Sequence, residues 1–157
     1  MRIGSGFDLH RFKDGRKLIL GGVEIAHERG LDGVSDADVL LHSLSDAILG
    51  ALGKGDIGDI YPPDDQASTG LNSRNILTDV LSIMRNEKYE IENIDVTLIT
   101  EEPRMKRHKP AIVENLSHIL SLSSDRIGMK IKSQEALIPG DKAFAVCLAT
   151  VLLQRDT

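Results

Sequence analysis

At 157 residues the chain has the length of one globular domain, which we expect to span residues 1–157. Its formal net charge of −5 and its 3% aromatic content exclude a general nucleic-acid binder, because such proteins need a positive surface for phosphates and aromatic rings for stacking. The single cysteine, Cys147, excludes an intrachain disulfide, and the sequence has no signal-peptide pattern and no apolar run of membrane-spanning length. We therefore expect a cytoplasmic protein, or one of an equivalent organelle such as a plastid, with no membrane partner.

The first predicted strand, residues 2–10, carries two side chains of the kind that bind metals. Alternate side chains of a strand share a face, so Asp8 and His10 are expected to point the same way. The ordinary alternative is the solvated face of a half-buried strand. Two apolar runs follow and meet at Gly21 and Gly22, which predicts a β-hairpin.

A helix is predicted over residues 37–52, after the capping-type residues Ser35 and Asp36. An apolar stripe recurs in it every four residues, and a polar row recurs two positions out of phase. The stripe is Leu40, Leu44, Ile48 and Leu52, and the polar row is Asp38, His42 and Asp46. If the stripe packs on a sheet, the polar row faces away from it, toward a cleft or another surface. Asp46 is then either a partner that orients the His42 ring or a solvated helix residue.

Asp8, His10 and His42 together predict a metal site. One carboxylate and two imidazoles supply three ligands and leave a fourth position for water or substrate, as in catalytic zinc sites. The expected ion is Zn²⁺ or another divalent transition metal. The alternative for His42 is a solvated histidine without a ligand role.

The next segment, residues 53–71, is rich in Gly, Pro and Asp and has neither helical nor strand periodicity, so it is either a binding loop or a disordered connection. A second helix, capped at Asn72 or Ser73, ends near Lys88. The later predicted elements are a strand over 91–100, a basic turn over 101–110 that is either solvated or functional, a helix ending at Leu120, a strand over 126–133 and a last strand over 143–153.

The element order predicts an α/β fold: a single-domain two-layer sandwich with a mixed four-stranded sheet, helices on one face, and a β-hairpin. The last strand is apolar on both faces, so either another copy of the chain covers one face or the monomer encloses the strand. Cys147 is expected in the core, and His27 and His118 on the surface.

Six segments together resemble the 2-C-methyl-D-erythritol 2,4-cyclodiphosphate synthase family. They are MRIGSGFDLHRF at 1–12, GGVEI at 21–25, the long stretch from Gly30 to Asp65, SRNIL at 73–77, NIDVTLITEEPRM at 93–105, and KSQEAL at 132–137. The resemblance implies a phosphorus–oxygen lyase of isoprenoid biosynthesis. It would convert 4-diphosphocytidyl-2-C-methyl-D-erythritol 2-phosphate to the cyclic diphosphate and CMP, and it would be a homotrimer with sites between subunits.

The resemblance also implies the roles of individual residues. Zn²⁺ would be held by Asp8, His10 and His42, and a second ion, Mg²⁺ or Mn²⁺, would be held by Glu135 and the substrate. Ser133, Glu135 and Asp46 are the candidate catalytic residues. The substrate would further contact Asp8, His10, Val34, Ser35, Asp56, Ile57, Gly58, Tyr61, Asp64, Asp65 and Lys142, with its cytidine end at Thr100, Pro103, Arg104, Met105, Lys106 and Lys132.

The sequence departs from the family pattern at several of these positions. Val34 stands where the family usually has a histidine on the phosphate side, and Ser133 and Gln134 stand where it has two threonines. Lys142 replaces an arginine and Phe144 an acidic residue near the family's threefold axis. An alternative is therefore a weak or inactive paralogue that binds metal and a cytidyl or prenyl diphosphate. A third hypothesis is an unrelated zinc hydrolase, for which Glu135 would be dispensable.

Overall fold

The fold is built on a five-stranded mixed sheet with helices packed on one face, in a computed structural model that describes residues 1–62, 64, 70–134 and 144–156. The strands are β1 (Arg2–Asp14), β2 (Leu18–Leu20), β3 (Val23–Ile25), β4 (Arg29–Leu31), β5 (Tyr89–Ile99), β6 (Ile127–Lys132) and β7 (Phe144–Arg155). The helices are α1 (Val39–Leu52), α2 (Ile57–Ile60), α3 (Ser73–Asn86) and α4 (Lys109–Leu120), with 3₁₀ turns at Met105–Arg107 and Ser124–Arg126.

The large sheet has the order β4-β1-β7-β5-β6, and β2 and β3 form a separate hairpin. Only β5 and β6 run parallel, while the other neighbours are antiparallel. The predicted α/β class, the mixed sheet and the hairpin are thus confirmed. The prediction of four strands is wrong, because β1 continues to Asp14 and there pairs with β4, a strand too short to show an alternating pattern.

One predicted helix start and one predicted loop also differ from the structure. The first helix begins at Val39, and its N-cap is Asp38, not Ser35 or Asp36. The segment predicted to lack periodicity contains the short helix α2, which begins with a capping box between Asp56 and Asp59.

The prediction that Asp38 faces a cleft or another surface together with His42 is wrong. As the N-cap, Asp38 lies just before the helix and is fully buried. Its carboxylate accepts the backbone N–H groups of Leu40 and Leu41 and those of Gly21 and Gly22 in the hairpin turn. Burial raises the pKa of Asp38 to about 6, which still leaves the group ionised at neutral pH. One side chain therefore fastens the hairpin to the start of α1.

The expectations for three other side chains can be compared directly. Cys147 is fully buried, and burial raises the pKa of its thiol to about 12, so the predicted core position is confirmed. His118 is exposed as predicted. His27 is instead half-buried, with its ring edge-on to Phe12 at a centroid distance of 5.6 Å.

Within the described residues, no helix is long and apolar enough to cross a membrane.

Helix α1 lies unusually close to β1 because β1 has glycine at the contact. A Cβ atom on Gly4 would lie 2.0 Å from the carbonyl oxygen of Ala47, and one on Gly6 would lie 1.9 Å from that of Ser43. Side chains at these positions would push the helix away from the strand. This close approach brings the next turn of α1, with His42, within reach of Asp8.

We expect Gly6→Ala to lower the free energy of unfolding by about 2–3 kcal/mol, because the added methyl meets backbone atoms that no rotamer change can move. Gly50→Ala is the matched control, since its Cβ would have Ser5 O at 3.8 Å as its nearest neighbour. That variant should gain about 0.5–1 kcal/mol from improved helix propensity. Urea unfolding at one protein concentration measures both, and equal stability of the two variants would contradict the packing argument.

Candidate active site

Three metal-type ligands converge at the contact between β1 and α1. The Asp8 Oδ2 atom lies 3.1 Å from His10 Nε2 and 3.0 Å from His42 Nδ1. The three candidate ligand atoms all lie within 4.8 Å of one another. Asp8 and His10 share a strand face as predicted, and α1 supplies His42, which is only 7% exposed. One oxygen and two nitrogen donors suit Zn²⁺ or another divalent transition metal.

The charges of the cluster also suit a cation. Burial alone would raise the pKa of Asp8, but hydrogen bonds and charge attraction from His10 and His42 outweigh it and lower the pKa to about 2. Burial alone would lower the pKa of His10. Its contacts, among them the hydrogen bond with Asp8, outweigh burial, and the pKa of His10 is raised. At neutral pH the cluster therefore carries a carboxylate, ready to bind an ion.

A backbone carbonyl orients the first histidine. His10 Nδ1 lies 2.5 Å from the carbonyl oxygen of Asp32, which can only accept, so Nδ1 carries the proton. The lone pair of the neutral ring is then at Nε2, the atom that faces Asp8. The loop after β4 thus sets the tautomer that metal binding requires.

Asp46 has a different partner from the one predicted. Its carboxylate accepts the backbone N–H of Ile57 at 2.9 Å, which anchors α2 against α1. Among the described residues, the hydrogen-bond partners of the His42 ring are Asp8, Ser35 and Ser73. Asp46 therefore positions the short helix of the predicted binding loop.

A cavity of about 230 Å³ opens on the three ligands. Five residues predicted to bind substrate line it beside them: Val34, Ser35, Ile57, Gly58 and Tyr61. Asp56 caps α2, and Asp64 is exposed. Leu71 and Ile76 complete an apolar wall that was not predicted. Leu71 is the last residue of the predicted loop, and the spacing of Ile76 in α3 indicated only helix packing. Asp65 lies outside the described residues.

A second cavity, of about 590 Å³, lies where β5 and β6 end. The predicted cytidine-end residues line it: Thr100, Pro103, Arg104, Met105, Lys106 and Lys132, together with Ser133. Met105 is only 2% exposed, whereas Arg104, Lys106 and Lys132 are exposed cations. Glu101 and Glu102, which lie between Thr100 and Pro103 in the predicted segment, also line it. Glu135 and Lys142 lie outside the described residues.

The two cavities lie at one end of the sheet, on either side of β7. Leu9, beside His10 in β1, and Ile99, beside Thr100 at the end of β5, both pair with Val146. Strand β7 therefore lies between β1, which carries Asp8 and His10, and β5, whose end borders the basic cavity.

Comparison with known proteins identifies the family. The YgbB family model matches residues 1–154. The 2-C-methyl-D-erythritol 2,4-cyclodiphosphate synthase of Synechococcus elongatus is 44% identical over 156 residues, covering 99% of this chain and 98% of the relative. That of Geotalea daltonii is 46% identical over 156 residues, covering 99% and 91%.

A solved structure of 2C-methyl-D-erythritol-2,4-cyclodiphosphate synthase in its CDP-bound form has the same fold. It superposes with a TM-score of 0.90 at 35% identity and covers 98% of this chain and 100% of the other. Sequence and fold therefore agree over nearly the whole length, and the chain belongs to the YgbB family, the family of the 2-C-methyl-D-erythritol 2,4-cyclodiphosphate synthases.

Proposed function

We propose that the chain converts 4-diphosphocytidyl-2-C-methyl-D-erythritol 2-phosphate to 2-C-methyl-D-erythritol 2,4-cyclodiphosphate and CMP, as a phosphorus–oxygen lyase of isoprenoid biosynthesis. The observation that carries the proposal is the Asp8, His10 and His42 cluster at the mouth of a cavity lined by predicted substrate-binding residues. The family membership supports turnover, and not the alternative of an inactive paralogue. The proposed location is the cytoplasm or a plastid-type organelle.

The reaction requires the protein to position the substrate and to offset its charge, and it does not require a nucleophile from the protein. The 2-phosphate of the substrate attacks the β-phosphorus, a new P–O bond closes the ring, and the bond to the CMP oxygen breaks. Asp8 and His10 on β1 and His42 on α1 would hold Zn²⁺ or another divalent transition metal. Such an ion supplies polarisation of a phosphoryl oxygen when it is bound.

The described residues would bend the substrate so that its two phosphate groups meet. Arg104, Lys106 and Lys132 place positive charge around the second cavity, which suits the diphosphate beside a cytidine. The CDP bound by the solved relative supports a ligand of this class. Ile57, Gly58 and Tyr61 would contact the methylerythritol end beside the metal ligands. Holding both ends in place converts a flexible chain into a ring-closing geometry.

Glu135 is proposed to hold the second ion, Mg²⁺ or Mn²⁺, with the diphosphate, and Ser133 to contact the same group. Lys142 and Asp65 are proposed to complete the substrate contacts. The proposal of a second ion separates the cyclase from an unrelated zinc hydrolase. Glu135→Ala should abolish CMP release from a cyclase and should not affect such a hydrolase.

The direct test is incubation of the purified protein with the diphosphocytidyl substrate, Zn²⁺ and Mg²⁺. We expect CMP and the cyclic diphosphate in equal amounts, measured by chromatography and by ³¹P NMR. A folded, metal-loaded protein that releases no CMP would contradict the proposal and favour the inactive paralogue. In that case Val34→His, which restores the usual family residue, tests whether Val34 is the cause.

We further propose a homotrimer with its substrate sites between subunits. The helices cover one face of the sheet, and large apolar side chains remain exposed on the other. Ile3 is 72% exposed, Phe7 58%, Leu9 48% and Leu148 44%, and Phe7 pairs with Leu148 across β1 and β7. The alternative that a monomer encloses the last strand is wrong, given the exposure of Leu148. Covering this face by further copies of the chain buries an apolar patch of the kind that marks interfaces.

Phe7→Asp is expected to convert the assembly to single chains, because it places a charge at the centre of the apolar face. Loss of CMP release should accompany dissociation if the sites lie between subunits. Ala111→Asp, on the exposed side of α4, is the control that should keep the mass of three chains. Sedimentation velocity measures the mass, and an unchanged mass for folded Phe7→Asp would contradict this interface.

A further inference from the structure

The Nε2 atom of His42 is hydrogen-bonded to polar side chains that no sequence pattern connects with the candidate metal ligands. His42 Nε2 lies 2.8 Å from Ser73 Oγ, at the first residue of α3. Ser73 is only 1% exposed, and its hydroxyl donates to the carboxylate of Asp36. The backbone N–H of Ser73 donates to the other oxygen of the same carboxylate at 3.1 Å.

These contacts determine where the protons are. The Asp36 carboxylate accepts both the N–H and the O–H of Ser73, so the only hydroxyl proton of Ser73 points away from His42. The Ser73 oxygen can then only accept from the imidazole, and His42 Nε2 must donate. In the neutral ring the lone pair is consequently at Nδ1, 3.0 Å from Asp8 Oδ2. Ser35 Oγ lies further from Nε2, at 3.2 Å, and already accepts the N–H of Ala37.

We propose that Ser73, held by Asp36, is a positioning residue that fixes His42 in the Nε2–H tautomer and presents Nδ1 to the metal. The proposal rests on the metal site of the proposed function and adds to it the residues that orient its helical ligand. His10 has a corresponding contact, because its Nδ1 donates to the carbonyl of Asp32. Both imidazoles thus have one nitrogen bonded to the protein and the other turned to the shared site.

Backbone hydrogen bonds on either side of Ser35 also join the end of the binding loop to the segment that contacts His42. The N–H of Asp36 donates to the carbonyl of Leu71 at 3.2 Å, and the N–H of Gly70 donates to the carbonyl of Val34 at 2.9 Å. Leu71, Ile76 and Val34 are walls of the cavity. The start of α3 therefore supports the cavity wall and His42 together.

The test measures metal affinity and the imidazole tautomer, not only turnover. We expect Ser73→Ala to weaken Zn²⁺ or Co²⁺ binding by about 10–100-fold in competition with a chromogenic chelator. Ser45→Ala is the matched control. Ser45 is also fully buried, lies one turn from His42, and donates to the Leu41 carbonyl instead of to the ring. Its metal affinity should equal that of the wild type.

The ¹⁵N shifts of the His42 ring in the Zn²⁺-loaded wild type should show a protonated Nε2 and a metal-bound Nδ1 without a proton, and Ser73→Ala should shift this balance. A protonated Nδ1 in the wild type would overturn the proposal without the need for any variant. So would a folded Ser73→Ala protein with wild-type metal affinity. A protein that shows these effects but releases no CMP would refute the proposed function and leave the role of Ser73 intact.

Discussion

Asp8→Asn is expected to abolish tight metal binding and to reduce CMP release by about 10³-fold or more, because the carboxylate is the only anion among the three ligands and touches both histidines. The pKa of Asp8 is lowered to about 2, so the wild-type group is ionised throughout the usual assay range. The substitution therefore removes a charge that is present at every working pH while it preserves the shape of the side chain.

Asp14→Asn provides the control, since Asp14 is an exposed residue at the far end of the same strand. It should keep the metal content and the rate of the wild type. Metal content by plasma mass spectrometry and initial rates of CMP release measure the two effects together. An Asp8→Asn enzyme that loses its metal and keeps its rate would show that the reaction does not use this cluster.

The candidate metal ligands could be predicted only in part from the sequence. The period of two in β1 puts Asp8 and His10 on one face. The helical period separates His42 from the apolar stripe, but the prediction that its row faces away from the sheet is wrong, because α1 packs on β1 through Ser43 and Ala47 and His42 meets Asp8 of that strand. The sequence did not reveal how closely the two elements approach. That distance depends on Gly4 and Gly6, which read equally well as ordinary strand residues.

The errors arise where a residue lies just outside a regular element or forms a distant contact. Asp38 fits the helical period, but it precedes the first helical residue, so the period does not determine its direction. Ser73 reads as a capping residue, and its bond to His42 joins positions 31 apart, which local patterns do not reveal. The short strand β4 is stabilised by pairing with β1, and α2 is held against α1 by the bond from Ile57 N–H to Asp46, so neither depends on its own periodicity alone.

We expect Asp38→Ala to cause the largest loss of stability of any single change considered, about 3–5 kcal/mol in the free energy of unfolding. The substitution removes the acceptor of four backbone N–H groups, two at the start of α1 and two in the hairpin turn. The position is fully buried, so water does not replace the lost acceptor without a structural opening. For a chain of this length the loss corresponds to a melting temperature about 10 °C lower.

Two variants separate the hairpin contact from ordinary helix capping. Asp38→Asn keeps an oxygen at Oδ1, which accepts from Gly21, Leu40 and Leu41, and turns an amide group toward the N–H of Gly22, so a smaller loss of about 1–2 kcal/mol is expected. Asn72→Ala removes the exposed N-cap side chain of α3, which accepts the N–H of Arg74, and should cost about 1 kcal/mol. Guanidinium unfolding at a fixed protein concentration ranks the three. If Asn72→Ala proved as damaging as Asp38→Ala, then capping alone would account for the role of Asp38, and its bonds to Gly21 and Gly22 would contribute nothing to the attachment of the hairpin.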